Sequence, residues 1–476
     1  MIPFSALSAH LSKSSLPKAS GAQTRLAGQL GLMSLRRQIF FLSAWPLLEQ
    51  VLSFLVTFVD TVQAGHVSAS AVAAIGFSGY MIWVIGMVQA AVSVGPGAII
   101  ARASGASDRR LVNATLGQAL VVSALAGIVM GTALFLSAPA VSRFVELRGA
   151  ELDHSVVFLR ILSFATPVSF VLFAGCACCR SAGDAITPFR TMLLVNVVNV
   201  MANVAFVLGP APLGGHGVAG IAAATGLAWV VGAVFLAVVL MRGRHGMRLY
   251  VHRLILQRNL VWRFIRAGVP NLAEVSGIWL AQLLVVKTIS HVGTPDLPNA
   301  LALHSVAVRI EGISYLPGIA FGAAAATLAG QYLGIGDQAT AQKAVKLCWS
   351  VCAAVMGCMG LMFVVIPQTL VAIVTDNATI ARDAPALLRI CGPSEIFMAT
   401  YLVLSQAMRG AGDTRTALFL SYFSILCIRL PAVLVLGVWL DYGLTGIWFG
   451  LCGEVAFRGL LFAFWFRRGH WLRAKV

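Results

Sequence analysis

The chain has 476 residues, of which 59% are hydrophobic and 11% charged, with a formal net charge of +17 and a mean hydropathy of +0.88. Soluble domains carry roughly a quarter charged residues, so this balance excludes an ordinary soluble enzyme or a soluble nucleic-acid binder. The apolar runs approach the roughly 20 residues that span a bilayer as helix, and they are continuous rather than alternating, which sets strands aside.

In chain order, residues 1–37 are polar and basic, with Lys13, Lys18, Arg25, Arg36 and Arg37. The run that follows is long and lacks a small-residue cleavage site, so it reads as a retained first span rather than a signal peptide. Twelve spans are predicted, near 39–65, 72–100, 111–138, 153–180, 187–209 and 217–241, then 264–291, 300–331, 340–373, 383–408, 416–439 and 444–466. Pro96, Pro167, Pro317 and Pro431 are candidate kinks. The expected organisation is a tail (1–37), a first lobe (38–241, helices 1–6), a basic linker (242–261), a second lobe (262–467, helices 7–12) and a tail (468–476).

The second half repeats the first in the same chain direction. Phe158-Leu159-Arg160-Ile161 recurs as Leu387-Leu388-Arg389-Ile390, and Arg180-Ser181-Ala182-Gly183-Asp184 as Arg409-Gly410-Ala411-Gly412-Asp413. Gly105 and Asp108 match Gly334 and Asp337 at the same offset of 229 residues. The reading is an all-α polytopic membrane protein of two parallel six-helix repeats, an arrangement that in transporters rocks around a central cavity.

The basic residues give the orientation. Of the 34 Lys and Arg, 25 fall in the two tails and the loops after even-numbered helices, against three (Arg143, Arg148, Arg382) in the opposite loops. The positive-inside rule then makes both termini cytoplasmic, with contact to anionic lipid as a lesser consequence. The nine cysteines lie in apolar spans and read as small hydrophobes; Cys176 and Cys179 lack the second pair a zinc site needs. No GxxxxGK[ST] string is present, so ATP is not the expected energy source.

The first half carries Trp45-Pro46-Leu47-Leu48-Glu49-Gln50 with Val59-Asp60-Thr61 and Gly65-His66, and the Arg180–Pro188 loop followed by Asn196, Asn199 and Asn203. The second half carries Leu303–Glu311, Tyr315-Leu316-Pro317-Gly318 and Gly330-Gln331-Tyr332-Leu333-Gly334. In their order these motifs resemble the multidrug and toxic compound extrusion (MATE) family of secondary transporters. The resemblance covers roughly residues 38–466. It implies a V-shaped two-lobe bundle in the plasma (inner) membrane that works as a monomer. The implied activity is export of amphipathic organic cations in exchange for H⁺ or Na⁺. Beyond the coupling ion no cofactor is expected, and partners are small-molecule drugs and the lipid bilayer, not nucleic acid.

Ionisable groups inside the bilayer are costly and so become the candidates. Asp60 lies deep in helix 1 among Leu55, Val56, Phe58 and Val59, where desolvation penalises the charged form and suits it to proton or Na⁺ exchange. Asn196, Asn199 and Asn203 share one face of helix 5; such amides serve an ion site or simply glue helices. Glu49, eleven residues before Asp60, reads either as a proton relay or as a solvated helix end. In the second lobe, Glu274, Arg309, Glu311, Glu395 and Lys287 form the expected charged network. It either couples ions to lobe movement or fixes packing by permanent ion pairs. Arg309 and Glu311 sit on nearly opposite helix faces, so each needs a partner elsewhere, while Glu454 is placed to pair with Arg458. Arg180 and Arg409 read as turn and lipid-surface residues. Phe54, Phe58, Phe77, Tyr80 and Trp83 are the candidate drug-cavity aromatics, with lipid-facing or core roles as the alternative. A lipid-linked oligosaccharide flippase of the same superfamily is the nearest rival function. A membrane-embedded enzyme stands further off, for want of a nucleophile or metal motif.

Overall fold

The computed structural model of the chain describes residue 26 and residues 28–145, 147–210, 214–244, 246–292, 300–375 and 377–474; the side chains of 28, 29, 54–62, 64–67, 69, 251 and 253 lie outside that description. Among the described residues twelve long helices follow the predicted spans. The first six are α1 (Leu35–Val67), α2 (Ala69–Gly105), α3 (Arg109–Phe144), α4 (Ala150–Ser181), α5 (Ile186–Asn203) and α6 (Gly217–Arg242). The second six are α7 (Arg258–His291), α8 (Ala300–Gly334), α9 (Gln338–Val365), α10 (Ala378–Gly410), α11 (Thr414–Trp439) and α12 (Gly443–Arg468).

The repeated strings are helix stop-and-start devices. Gly183 and Gly412 adopt φ of +93° and +94°, a left-handed conformation that glycine takes without steric cost and that ends α4 and α10. The next residue caps the following helix: Asp184 accepts from Ile186 N at 3.1 Å and Thr187 N at 3.0 Å, and Asp413 from Thr416 N at 3.4 Å. Asp108 and Asp337 do the same for α3 and α9, each at 2.9 Å.

The expected kinks are displaced. Pro96, Pro167 and Pro317 lie inside continuous helices. The predicted span 340–373 instead stops at Val365, and a separate short helix runs Pro367–Val374. Proline lacks an N–H and drives the preceding residue out of helical geometry, and Ile366 indeed has φ −126° and ψ +41°. α10 is interrupted by a 3₁₀ turn, Gly392–Ser394, which contains Pro393. α11 carries two π turns, Ile425–Arg429 and Val435–Trp439, on either side of Pro431, and α5 ends in a third, Val204–Leu208. Such turns widen a helix locally and free backbone groups, which is why they gather at functional sites.

Packing crosses the boundary between halves reciprocally. One apolar core joins α2–α6 with Leu260 and Phe264 from the start of α7. A second joins α8–α12 with Leu26, Leu30, Ile39 and Leu42, from the start of α1 and the segment before it. A third, at the other end of the second half, takes Val285 and Ile289 from the far end of α7 with Ile310, Leu387 and Trp448. The first helix of each half therefore begins in the core of the other half. The lobe boundaries at 38 and 262 are crossed by the buried side chains of α1 and α7.

The halves meet closely where α2 and α8 end. A Cβ on Gly105 would overlap the Gln331 carbonyl, and one on Gly334 would overlap the Arg102 carbonyl. The four positions are two pairs at the same 229-residue offset. Their side chains complete the junction: Arg102 Nη2 donates to the Ala411 carbonyl at 2.9 Å and the Ala474 carbonyl at 2.6 Å, while Gln331 Nε2 donates to the Ser181 carbonyl at 3.1 Å. Each half thus ties off the carbonyl end of α4 or α10 in the other. We expect Gly105→Val to wedge the lobes apart at this end. Paired spin labels across the junction should then report a longer distance than in wild type, and an unchanged distribution would refute the close approach.

Candidate functional site

The intramembrane charges of the second half separate into three sites. Glu274 on α7 is fully buried and accepts from Arg409 Nη2 at 2.7 Å and from Ser421 Oγ at 2.7 Å, both on Oε1. Glu454 on α12 accepts from Arg429 Nη2 at 2.7 Å and Nε at 3.0 Å and from Ser424 Oγ at 2.7 Å. Arg458, its expected partner, lies 3.2 Å from Glu454 Oε1 and stacks over the Tyr401 ring at 4.0 Å. These two sites are compensated: every carboxylate has its own guanidinium.

The third site is different. Glu311 on α8 and Cys391 and Glu395 on α10 place a donor atom each within 4.8 Å of one another. Glu395 is buried, with Ser314 Oγ donating to Oε2 at 2.7 Å and the Cys391 thiol donating to Oε1 at 3.6 Å. Glu311 accepts from the Tyr315 hydroxyl at 2.5 Å. Neither carboxylate has a salt-bridged cation among the described residues; Arg429, which acts on Glu311 through space, is already held by Glu454. Two carboxylates this close cannot both remain charged in low dielectric without a shared proton or a bound cation. The arrangement can therefore hold one proton between two acids, or a monovalent cation among carboxylate, thiol, hydroxyl and phenol.

Local sequence builds this site. The 3₁₀ turn at Gly392–Ser394 restarts α10 with Glu395 in its first turn, beside the positive end of a helix segment. The turn also lets α9 press in: a Cβ on Gly360 would overlap the Gly392 carbonyl and lie 3.0 Å from the Glu395 Cβ. Gly360→Val should push α10 off α9 and displace Glu395. The expected result is a longer spin-label distance between α9 and α10 with retained expression; an unchanged distance would show that the approach is dispensable.

The charged network expected from sequence is corrected in three respects. Glu274 pairs with Arg409, not with Arg309. Arg309 and Lys287 are exposed and have no ion pair among the described residues, because their faces of α8 and α7 turn away from the acids. Arg180 and Arg409, expected at the lipid surface, reach inward instead: Arg180 Nη1 donates to both Glu49 oxygens, at 2.8 and 3.0 Å. Glu49 to Arg180 (α1 to α4) and Glu274 to Arg409 (α7 to α10) are the same bridge built twice. Glu49 is accordingly a paired group rather than a free relay or a solvated helix end.

In the first half Asn199 Nδ2 donates to Thr225 Oγ1 on α6 at 3.2 Å and Asn203 Nδ2 to Asn199 Oδ1 at 3.1 Å, all buried. Asn196 Nδ2 returns to the Met192 carbonyl at 2.7 Å. α1 packs along α5, but the side chains of Asp60, Phe54 and Phe58 lie outside the described residues. Among the other candidate aromatics, Phe77 packs half-buried on the first core, while Tyr80 and Trp83 are exposed. Trp83 meets Trp279 of α7 edge-on across the halves, with ring centroids 3.7 Å apart. Sequence reasoning passed over Cys391, Ser314, Tyr315 and Arg429. For Tyr315 and Cys391 the signal was present as i,i+4 spacing, Glu311 to Tyr315 and Cys391 to Glu395, whereas Arg429 lies 25 residues before its partner Glu454.

The profile of the MatE family matches residues 47–205 and 270–435, one segment in each half. The chain belongs to the MATE family. This MATE transporter is 26% identical over 449 residues to the probable multidrug resistance protein NorM of Thermotoga maritima, covering 93% of this chain and 94% of the relative. It is 27% identical over 436 residues to the multidrug resistance protein NorM of Burkholderia vietnamiensis, covering 88% and 91%. Its fold matches a crystal structure of MATE in the bent conformation with a TM-score of 0.85 at 19% identity, covering 93% and 97%. It matches an outward-facing multidrug resistance MATE transporter of the MOP superfamily with a TM-score of 0.84, again at 19% identity and over 93% and 97%. These likenesses extend over the full two-lobe bundle.

Proposed function

We propose that this MATE transporter is a secondary active multidrug exporter of the inner membrane, termini cytoplasmic, working as a monomer. It exchanges amphipathic organic cations for H⁺ or Na⁺, with coupling at Glu311 and Glu395. The observation that carries the reading is the acid pair without a salt-bridged cation: buried Glu395 and half-buried Glu311 across α10 and α8 beside a helix break, in a half whose other buried acids among the described residues each hold an arginine. Ion entry neutralises the pair and lets α8 and α10 approach; ion loss makes them repel. Because α8 also carries Gly334 and Gln331 at the lobe junction, occupancy of the acid pair is communicated along one rigid helix to the contact that must open and close. Drug and ion need only prefer different lobe arrangements for exchange to follow. Asp60 with Asn196, Asn199 and Asn203 remains the first-lobe candidate for the same task.

The test is ethidium uptake into inverted vesicles under imposed pH and Na⁺ gradients, comparing wild type with Glu311→Gln, Glu395→Gln and Asp60→Asn. Uptake driven by a gradient and lost only in the glutamate variants supports coupling in the second lobe. Loss only in Asp60→Asn moves the coupling ion to the first lobe. Gradient-independent behaviour of correctly inserted wild type would refute drug–ion exchange for this substrate and favour a lipid-linked substrate.

A further inference from the structure

The strongest feature away from the acid pair is a cavity of about 900 Å³ at the end of the bundle where α1 begins and α12 ends. Its wall brings together Arg36 at the start of α1, Lys343 and Lys346 on α9, and Arg467 at the end of α12. No Asp or Glu lines it, and none of the four cations has an ion pair among the described residues. Between and behind the charges the wall is apolar, with Leu35, Leu347 and Trp349. The Trp349 indole N–H is already spent on Thr400 Oγ1 at 2.9 Å, so its ring face is the part left for the cavity.

Four like charges around one concavity repel each other, and no carboxylate among the described residues pairs with them. Their position at the ends of membrane-spanning helices puts them at headgroup level, where Trp and basic side chains mark the interface. We propose that this cavity is a binding site for an anionic phospholipid, its phosphodiester held by Arg36, Lys343, Lys346 and Arg467 and an acyl chain laid on Leu35, Leu347 and Trp349. A phosphate accepts several charge-assisted hydrogen bonds at once, which suits a mixed Arg and Lys cluster. The site also spans the halves. Arg36 belongs to the helix that begins in the other half's core, whereas Lys343, Lys346 and Arg467 belong to the second half. A bound lipid therefore bridges α1 to α9 and α12 at the end where Gly105 and Gly334 close the lobes, and favours that closed arrangement.

The experiment is native mass spectrometry of the detergent-purified full chain titrated with phosphatidylglycerol, with phosphatidylcholine, and with inorganic phosphate as competitor. Wild type should retain phosphatidylglycerol in preference to phosphatidylcholine. Lys343→Gln with Lys346→Gln should weaken that retention about twenty-fivefold, from roughly fivefold per basic residue. Arg382→Gln, a surface change at an i,i+1 ion pair, should leave it unchanged. A second pair, Arg36→Gln with Arg467→Gln, repeats the test from the other wall in case the first variant folds poorly. Equal retention of the two lipids, or a variant that binds as wild type, would overturn the proposal. Displacement of the lipid by millimolar inorganic phosphate would reassign the site to a free phosphate ligand and overturn the lipid assignment.

Discussion

Glu395→Gln is expected to abolish uphill, ion-driven drug accumulation while leaving the protein folded. Glutamine keeps the length and the acceptor that Ser314 Oγ uses at 2.7 Å, so the local hydrogen bond survives. It removes the charge that, facing Glu311 within 4.8 Å, makes the site demand a proton or cation. Coupling between two ligands in proteins is typically five- to 150-fold, and loss of about that factor in the steady-state accumulation ratio is the predicted result. Glu311→Gln should do the same, and the double variant should be no worse than either single one, since the pair acts as one titrating unit. The measurement is the accumulation ratio at fixed gradient for the two singles and the double. Independent, additive losses would show that the acids do not share an ion.

The second large effect concerns stability. Arg409→Met should destabilise the protein by about 3–5 kcal/mol, because it leaves the fully buried Glu274 without its guanidinium. Adding Glu274→Gln should recover most of that loss, as removing both partners of a buried pair is far cheaper than removing one. The matching bridge in the first half, Glu49 to Arg180, has side chains 12% and 24% exposed, so Arg180→Met should cost less. A thermal-unfolding cycle on the singles and the double in detergent checks both statements. If the double variant were as unstable as Arg409→Met, packing rather than unpaired charge would be the cause. Arg180 and Arg409 would then return to a purely structural place in their turns.

The repeat explains why so much was legible. Twelve spans, two parallel halves and the capping turns followed from run length, the 229-residue offset and the Gly-Asp strings, all local properties of the chain. The family resemblance rested on the same strings, and the matched segments fall one in each half. Helix breaks were less readable. A proline in a sequence marks a lost hydrogen bond, yet Pro96, Pro167 and Pro317 are absorbed in continuous helices, whereas Pro393 sits in a true break. The difference lies in the neighbours: Gly360 and Gly392 allow α9 to approach the broken turn, and no local rule records that contact.

Charge pairing was the least readable part. Arg180, Arg409, Glu49 and Glu274 were each visible as intramembrane or near-membrane charges, but the helical periodicity of one segment cannot say which distant helix faces it. Only the bundle decided that Glu274 meets Arg409 from α10, that Glu454 takes both Arg429 and Arg458, and that Glu311 and Glu395 are left facing each other. Sequence by itself determined that this protein spans a membrane, is built as two copies of one unit, and must justify every buried charge. The tertiary structure decided which charges are neutralised in place and which acid pair, among the described residues, is left without a guanidinium. The physical reason is that hydrophobic period and turn chemistry act within a few residues, whereas electrostatic compensation acts through space between helices brought together by packing.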